Sequence, residues 1–429
     1  MVNLLSGLRE GHFDGADDPN GAVMELLRQL ELVDAGAEPA PPACLNGDPL
    51  PAGVTLFLTT ACNLRCTYCY ASAGATAGVA MPLAVARRGI DFVARNARRK
   101  GLRSFEVGYH GGGEPTANWR TLTDSFAYAG ERARALGIEV RGALATNGVL
   151  SDARIDWITG HLHGASVSFD GLPEIHDKHR ITPRGGGSSA RVMHTLHRFE
   201  AARFPYGLRV TVTRDAIARL PDSIEFLCRH FSAGRIQIEP AYRLGRWEGA
   251  PSAETADFIA AFREARARAR RHGREIFFSA VRLDTLTNHF CAVSQDNFCL
   301  TTHGNVSACY EAFSESSPWA RVFFYGAPDD DGGYRFDPAA LERLRRQAVQ
   351  HRPYCRGCFA KWHCAGDCYY KALAATGELE FAGSDRCHII RELSKDEILD
   401  RIAASGGLFW HAPQQSFAGA PAMEKEIPL

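Results

Sequence analysis

An α/β architecture built on a parallel sheet, followed by a cysteine-rich module organised by metal, is the expectation for this 429-residue chain. Three observations lead there: six short apolar or β-branched runs alternate with stretches of helical period, a cysteine triplet follows the first run, and eight further cysteines crowd between Cys291 and Cys387. The strands read Val54 to Thr59, Ser104 to His110, Val140 to Thr146, Ala165 to Asp170, Leu208 to Thr213 and Arg235 to Pro240. Between them the helices read Pro82 to Arg99, Trp119 to Leu136, Ser151 to Thr159, Ser189 to Phe204 and Pro221 to Phe231. Such alternation calls for right-handed crossovers on one sheet, either open or curved into a partial barrel.

The length suits two to three domains. An N-terminal segment, 1–53, carries one helical pattern over Val23 to Leu32 and a Pro/Ala linker, AEPAPPA. The β-α region is 54–250, a bridging helix region follows at 251–286, the cysteine-rich domain is 287–392, and a C-terminal helix and tail fill 393–429. The five arginines of the bridging helix, Ser252 to His272, are expected to form a solvated face. Lys+Arg 49 balance Asp+Glu 49, so no global charge draws the chain to nucleic acid or to an anionic membrane. With no long apolar run and an acidic rather than basic start, the chain reads as cytoplasmic. Thirteen cysteines, an odd count in a reducing compartment, then point to metal rather than to disulfides.

Directly after the first strand stands Cys62-Asn-Leu-Arg-Cys66-Thr-Tyr-Cys69. Three thiolates on so short a loop hold three corners of a [4Fe-4S] cube and leave the fourth iron open, as catalysis requires. The competing reading is a zinc site completed by a distant ligand such as His110. Further features close the next strands: His110-Gly-Gly-Gly-Glu114-Pro115, Thr146-Asn147-Gly148 and Ser168-Phe169-Asp170-Gly171. All fall at strand C-termini, on one rim.

Taken together, the triplet, the Gly-Gly-Glu-Pro run and the Ser-x-Asp-Gly run resemble the radical S-adenosylmethionine enzymes, over roughly Val54 to Pro240. The resemblance implies a TIM-like partial (β/α)6 barrel in which Cys62, Cys66 and Cys69 hold the cluster and S-adenosylmethionine chelates its open iron. It further implies that Gly112, Gly113 and Glu114 bind the methionine amino group, that Tyr68 sits at the adenine, and that Ser168 and Asn147 touch the carboxylate or ribose. Arg180, in the run EIHDKHR, pairs with the cofactor carboxylate or a nearby acid under the same reading. The implied chemistry is reductive cleavage to a 5'-deoxyadenosyl radical that takes a hydrogen atom from substrate.

Downstream, Cys291-x7-Cys299-x9-Cys309 and Cys355-x2-Cys358-x5-Cys364-x3-Cys368 precede Cys387. Eight thiolates make two sets of four, most simply two closed [4Fe-4S] clusters, with structural zinc as the alternative. The pattern resembles the SPASM extension of radical enzymes that modify peptides. That likeness implies interleaved ligands: Cys291, Cys299, Cys309 and Cys368 for one cluster, Cys355, Cys358, Cys364 and Cys387 for the other. Cys44 and Cys228 stay outside every set, and Cys228 reads as a buried small hydrophobe.

Within that family, anaerobic sulfatase maturases carry an Asp directly after the third auxiliary cysteine, where this chain has Cys309-Tyr310-Glu311. The departure weighs against formylglycine formation and toward maturation of a ribosomally made peptide, by thioether, ether or carbon-carbon cross-linking or by epimerisation. Glu311 and Tyr310 are the catalytic candidates, with Asp367, Tyr369, His110 and His303 as further candidates for proton removal or substrate contact. Implied partners are a precursor peptide and an electron donor such as a flavodoxin or ferredoxin. The N-terminal segment is short for a winged-helix leader-binding domain, so leader capture is expected to be weak, remote or supplied by a separate protein. Outside enzymology, the rival is a zinc-stapled binding module.

Overall fold

The computed structural model describes Glu25, residues 45–247 and residues 254–404. The chain divides into two compact units, 1–44 and 45–429. Apart from Glu25, which is helical, the expected N-terminal helix, the linker, Cys44 and the tail from Gly406 lie outside the described residues.

Six parallel strands form the heart of the second unit: β1 (Gly53–Phe57), β2 (Ser104–His110), β3 (Glu139–Thr146), β4 (Gly164–Ser168), β5 (Tyr206–Val212) and β6 (Arg235–Pro240). They stand side by side in chain order. Such an order follows when each crossover returns right-handed to the neighbouring position. The crossovers are α1 (Leu83–Arg99), α2 (Trp119–Leu136), α3 (Asp152–His161), α4 (Pro173–His179), α5 (Ser189–Ala201) and α6 (Leu220–His230), the fourth and fifth sharing one connection.

Strand alternation separates two faces. Phe105, Val107 and Tyr109 of β2, with Leu208, Val210 and Val212 of β5, are buried in the common core with the helices. Helix α1 answers with Ala86, Ile90, Val93, Ala94 and Ala97, an apolar stripe of helical period. The opposite face of each strand points to the concave side of the sheet. There Gly108, Ala143, Ala145, Ser166 and Gly207 leave room, because their side chains are small or absent.

The sheet is open. A two-residue strand β7 (Ile276–Phe277) pairs with β6, while β1 takes β8 (Cys299–Leu300) as its outer neighbour, in parallel. Antiparallel β9 (Val306–Ser307), β10 (Phe324–Pro328) and β11 (Tyr334–Phe336) continue that edge, so the cysteine-rich region extends the barrel's own sheet. The first auxiliary ligand candidates are thereby fixed beside the barrel, with Cys299 in register with Thr55.

Helix α7 (Thr255–Arg271) corrects one expectation. Its arginines are not simply solvated: Arg263 and Arg266 pair with Asp396 of the helix Asp385–Ala404, Arg266 and Arg270 pair with Asp400, and Arg268 pairs with Asp222 and Glu225 of α6. The basic stripe is a seam between three helices. No helix among the described residues is long and apolar enough to cross a membrane.

Candidate iron-sulfur and cofactor site

The loop after β1 carries Cys62, Cys66 and Cys69, all partly accessible. It is pinned from behind by backbone bonds. Arg65 N donates to Ile181 O (2.6 Å) and Thr67 N to His179 O (2.9 Å). Arg246 spans it from the other side, donating from its backbone N to Cys69 O (2.9 Å) and from its guanidinium to Cys66 O and Ala73 O. Burial pushes the Cys62 thiol up to about 12, helped by the Glu114 carboxylate, and the Cys66 thiol up to about 11 despite the Arg180 guanidinium. Three thiolates in such a place would need compensating positive charge, which an iron-sulfur cluster would supply. The peptide N–H groups of Leu64 and Ala73 point at Cys62 Sγ and Cys69 Sγ, 3.4 Å away in each case, as anionic sulfur requires.

Beside the loop, Gly111, Gly112 and Gly113 leave β2 in close contact with it. A Cβ on Gly113 would lie 2.2 Å from Ala61 O and 2.7 Å from Thr59 O, and one on Gly112 would enter the Phe313 ring. Backbone cannot yield as a flexible side chain does, so Gly113→Ala is expected to destabilise the protein by about 1–3 kcal/mol or more. The check is thermal denaturation with iron content; an unchanged melting curve would contradict the packing.

Glu114 is a buried clamp. One carboxylate oxygen accepts from Thr116 N (3.3 Å), Thr116 Oγ1 (2.9 Å) and Thr146 Oγ1 (2.8 Å), the other from Asn147 N (2.8 Å). This ties the end of β3 to the glycine loop and leaves only the second oxygen with spare capacity. Asn147 in turn reaches Asn63 Oδ1 (2.7 Å) and lies 3.7 Å from Cys62 Sγ. Ser168 ends β4, half-buried and in register with Arg209 of β5. Arg180 finds a nearby acid: its Nε and Nη2 donate to the Asp170 carboxylate at 2.8 and 3.2 Å, while Tyr68 donates its hydroxyl to the same group. The guanidinium also stacks over the Tyr68 ring, 5.2 Å from its centroid. Tyr68 is thus held at the cluster loop by Asp170.

Across the mouth, the stretch after β9 lowers three side chains onto the barrel, Tyr310, Glu311 and Phe313. Tyr310 stacks on His110 at 4.8 Å, and Phe313 meets Tyr70 edge-on at 6.1 Å. Glu311 is half-buried, with its Oε2 buried and without a hydrogen-bond partner, and His110 Nδ1 is orphaned in the same way. Burial pushes the Glu311 carboxyl upward against the opposing pull of Lys371, Arg209 and Arg386. Burial, reinforced by Arg209, drives His110 down to about 3, so its ring is neutral.

Other candidates lie elsewhere. Asp367 is locked in an ion pair with Arg386 (2.7 Å), Tyr369 is buried with its hydroxyl toward Leu379 O, and His303 sits at the surface beside Glu315. The residues that sequence reading did not single out are Arg209, Tyr70 and Phe313. An arginine within an apolar-alternating strand was the available signal for the first.

Of the eight downstream cysteines, Cys355, Cys358, Cys364 and Cys387 line one pocket together with Tyr354, Phe381 and Arg391. After burial, Cys364 feels Asp367 and then Cys387 and Cys355, whereas Cys309 feels Glu311, then Cys368 and Cys291, and Cys299 feels Cys291. Cys364 and Cys368 are turned apart by Ala365, Gly366 and Asp367, all at positive φ (55°, 82° and 60°). Among the described residues no three His, Cys, Asp or Glu side chains are arranged to grip a single metal ion. A cube takes one thiolate per iron, so its ligands need not meet at one point.

The sequence matches the Radical SAM superfamily over residues 56–227. It is 28% identical over 180 residues to the Fe-coproporphyrin III synthase of Methanosarcina barkeri and 25% identical over 173 residues to an uncharacterised protein of Methanocaldococcus jannaschii. Each match covers 40% of this chain, but 39% and 57% of the relative, so the chain spans less than two thirds of these curated relatives. The fold is similar to anSMEcpe, an anaerobic sulfatase maturase, with bound AdoMet: TM-score 0.67, 15% identity, 84% of this chain and 96% of the other. It is also similar to Streptococcus suis SuiB bound to its precursor peptide SuiA: TM-score 0.55, 12% identity, 86% and 88% covered. At such identities these two likenesses speak for the fold. The match to the Radical SAM superfamily thus falls on residues 56–227, the span that runs from β1 into α6 and carries the three-cysteine loop.

Proposed function

We propose that this enzyme is a peptide maturase that cleaves S-adenosylmethionine at a cluster held by Cys62, Cys66 and Cys69, takes a hydrogen atom from a residue of a ribosomally made peptide, and oxidises it to a cross-link. The carrying observation is the juxtaposition, at one barrel mouth, of the three-cysteine loop with Tyr310 and Glu311, delivered by the cysteine-rich region. Bound there, the cluster and S-adenosylmethionine supply one-electron cleavage and a carbon radical. The protein's own part is placement. Gly112 and Gly113 leave space for close backbone approach, the second oxygen of Glu114 and the Asn147 amide offer polar contacts beside Cys62, and Asp170 with Arg180 fixes Tyr68. Phe57, Tyr70, Tyr310 and Phe313 form an apolar collar at the mouth.

A cross-link needs loss of a second electron and a proton. We assign the electron route to two auxiliary [4Fe-4S] clusters, one on Cys291, Cys299, Cys309 and Cys368, the other on Cys355, Cys358, Cys364 and Cys387. The pocket that gathers the second set supports this. Glu311 is the proton acceptor in this reading, because Oε2 is buried and unengaged beside the mouth; Tyr310, stacked on His110, positions the peptide. A precursor peptide, an electron donor of the flavodoxin or ferredoxin class and a separate leader-binding protein belong to the same proposal, as does a cytoplasmic setting. The likeness to a structure holding its precursor peptide favours it, and the likeness to the sulfatase maturase keeps formylglycine formation as the second reading.

The deciding experiment is mass spectrometry of a candidate short peptide encoded beside this chain and co-expressed with it. Loss of two hydrogens with two residues joined, as fragmentation reads it, supports cross-linking, while an aldehyde at a single Cys or Ser of a sulfatase peptide, trapped by a hydrazine, supports the second reading. Glu311→Gln is expected to lower product formation about 10²–10⁴-fold while 5'-deoxyadenosine still forms, the size of a positioned base. Equal loss of both would instead make Glu311 a cofactor residue. Two or three zincs and no brown colour in anoxically purified protein would end the radical reading.

A further inference from the structure

Arg209 is a strongly charged side chain at the mouth to which the proposed reaction gives no task. It sits in the middle of β5, between the buried Leu208 and Val210, and is nevertheless exposed. Its strand face is the concave one, shared with Gly207 and, in the neighbouring strand, Ser166 and Ser168. Arg209 stands in register with Ser168 at the C-terminal end of β4, and its charge bears on His110 at the end of β2, on Tyr70 after the cysteine loop and on Glu311, all at the same mouth.

No carboxylate among the described residues lies within 4.0 Å of it. The acids that ring the mouth are engaged elsewhere: Asp170 by Arg180, Glu239 by Arg386, and Glu114 by two threonines and Asn147. Glu311 keeps an open oxygen yet forms no ion pair with Arg209. A guanidinium presents a planar fork of donors that matches a carboxylate, and one that stands accessible and without an acidic partner is open to such a guest. Small residues beneath it leave the volume that such a guest needs.

We propose that Arg209 receives a side-chain carboxylate of the substrate peptide, so that the enzyme acts at or next to an Asp or Glu residue. This rests on the peptide-maturase reading above. The same chemistry is carried by the carboxylate of S-adenosylmethionine, and the test separates the two.

The probes are two blocked pentapeptides, Ac-Gly-Gly-Asp-Gly-Gly-NH2 and its Asn twin, which carry no terminal carboxylate. Binding is measured by calorimetry on the anoxic, reconstituted full chain with S-adenosylmethionine present and no reductant. The Asp peptide is expected to bind about ten-fold or more tightly than the Asn peptide, the ratio for a charge-assisted pair. Arg209→Gln should erase that ratio, Arg209→Lys should keep part of it, and both should bind S-adenosylmethionine as the parent does. Equal binding of the two peptides by the parent overturns the proposal, as does a ratio that survives Arg209→Gln. A loss of S-adenosylmethionine binding beyond ten-fold in Arg209→Gln also overturns it, giving the arginine to the cofactor. Should Arg209→Gln not fold, the parent's ratio and the Arg209→Lys protein decide. Formation of 5'-deoxyadenosine after reduction, without peptide, tests the underlying reading separately: a protein that cleaves cofactor but shows no ratio fails here alone.

Discussion

Replacing Cys62, Cys66 and Cys69 together with Ala is expected to abolish 5'-deoxyadenosine formation from S-adenosylmethionine while about eight of about twelve irons stay bound, at four irons per cube. The asymmetry follows from how the loop is built. Its backbone is held by Arg246, by Ile181 O and by His179 O, none of which needs the thiols. The other eight cysteines come from the turn at Cys291, from β8, from the turn after β9, and from the segments around 355–368 and 387, so their positions do not depend on the loop. Iron and acid-labile sulfide are measured on anoxic protein, and the nucleoside by chromatography. Cleavage that survives the triple change removes the cofactor from this site. Loss of all iron would show instead that the loop is a folding element.

The cysteine chemistry was legible because ligand spacing is local: a triplet within eight residues needs no knowledge of the fold. So were the long elements. Ser104–His110, Arg235–Pro240 and Trp119–Leu136 have the bounds that their periodicity gives, and the last stops at Gly137, whose φ of 64° closes a helix without strain. Helix α4 escaped because seven residues starting at Pro173 show too little apolar period to register. Strands β7, β8 and β9 escaped because two residues carry no alternation, and the pairing of Thr55 with Cys299 is set by tertiary contact. The same reason hid Arg209, whose place is defined by residues far away in sequence, Tyr70, His110 and Glu311. It also hid the use of Asp170, visible in Ser-Phe-Asp-Gly, as the anchor of Arg180 and Tyr68.

Asp367 is a sharper case of the same limit, since beside a cysteine ligand it resembles a proton acceptor, and the structure makes it half of a buried pair. Arg386 donates through Nε to both Asp367 oxygens at 3.0 and 2.7 Å, through Nη1 to Glu239 Oε2 at 2.7 Å and to the Tyr242 hydroxyl, and through Nη2 to Ser279 Oγ at 3.3 Å. Asp367 precedes Cys368, Arg386 precedes Cys387 and Glu239 lies on β6, so one guanidinium joins the backbone beside a cysteine of each proposed ligand set to the barrel. Asp367 itself is held at a φ of 60°, a conformation that costs an L-residue about 1–2 kcal/mol and persists only when its surroundings fix it. Removing the cation leaves two buried carboxylates facing each other, with only Lys371 at 3.7 Å from Glu239. Arg386→Met is therefore expected to destabilise the protein by about 3–5 kcal/mol, the range for stripping one partner from a buried pair. The exposed pair Arg346 with Glu342 is the control, where Arg346→Met should change stability by no more than about 1 kcal/mol. Denaturant titration of anoxic protein reads both. The pH dependence has a definite sign. Burial works against ionisation of Glu239, but Arg386 and then Lys371 overcome it and hold the carboxyl well below its ordinary 4.5. A carboxyl depressed by folding contributes stability that is complete above 4.5 and is lost as pH falls below it. The parent should thus lose stability steeply on the acid side, and Arg386→Met should lose less there, because its Glu239 no longer gains from ionising. Parallel acid limbs for the two proteins would mean that the guanidinium is not what keeps Glu239 charged.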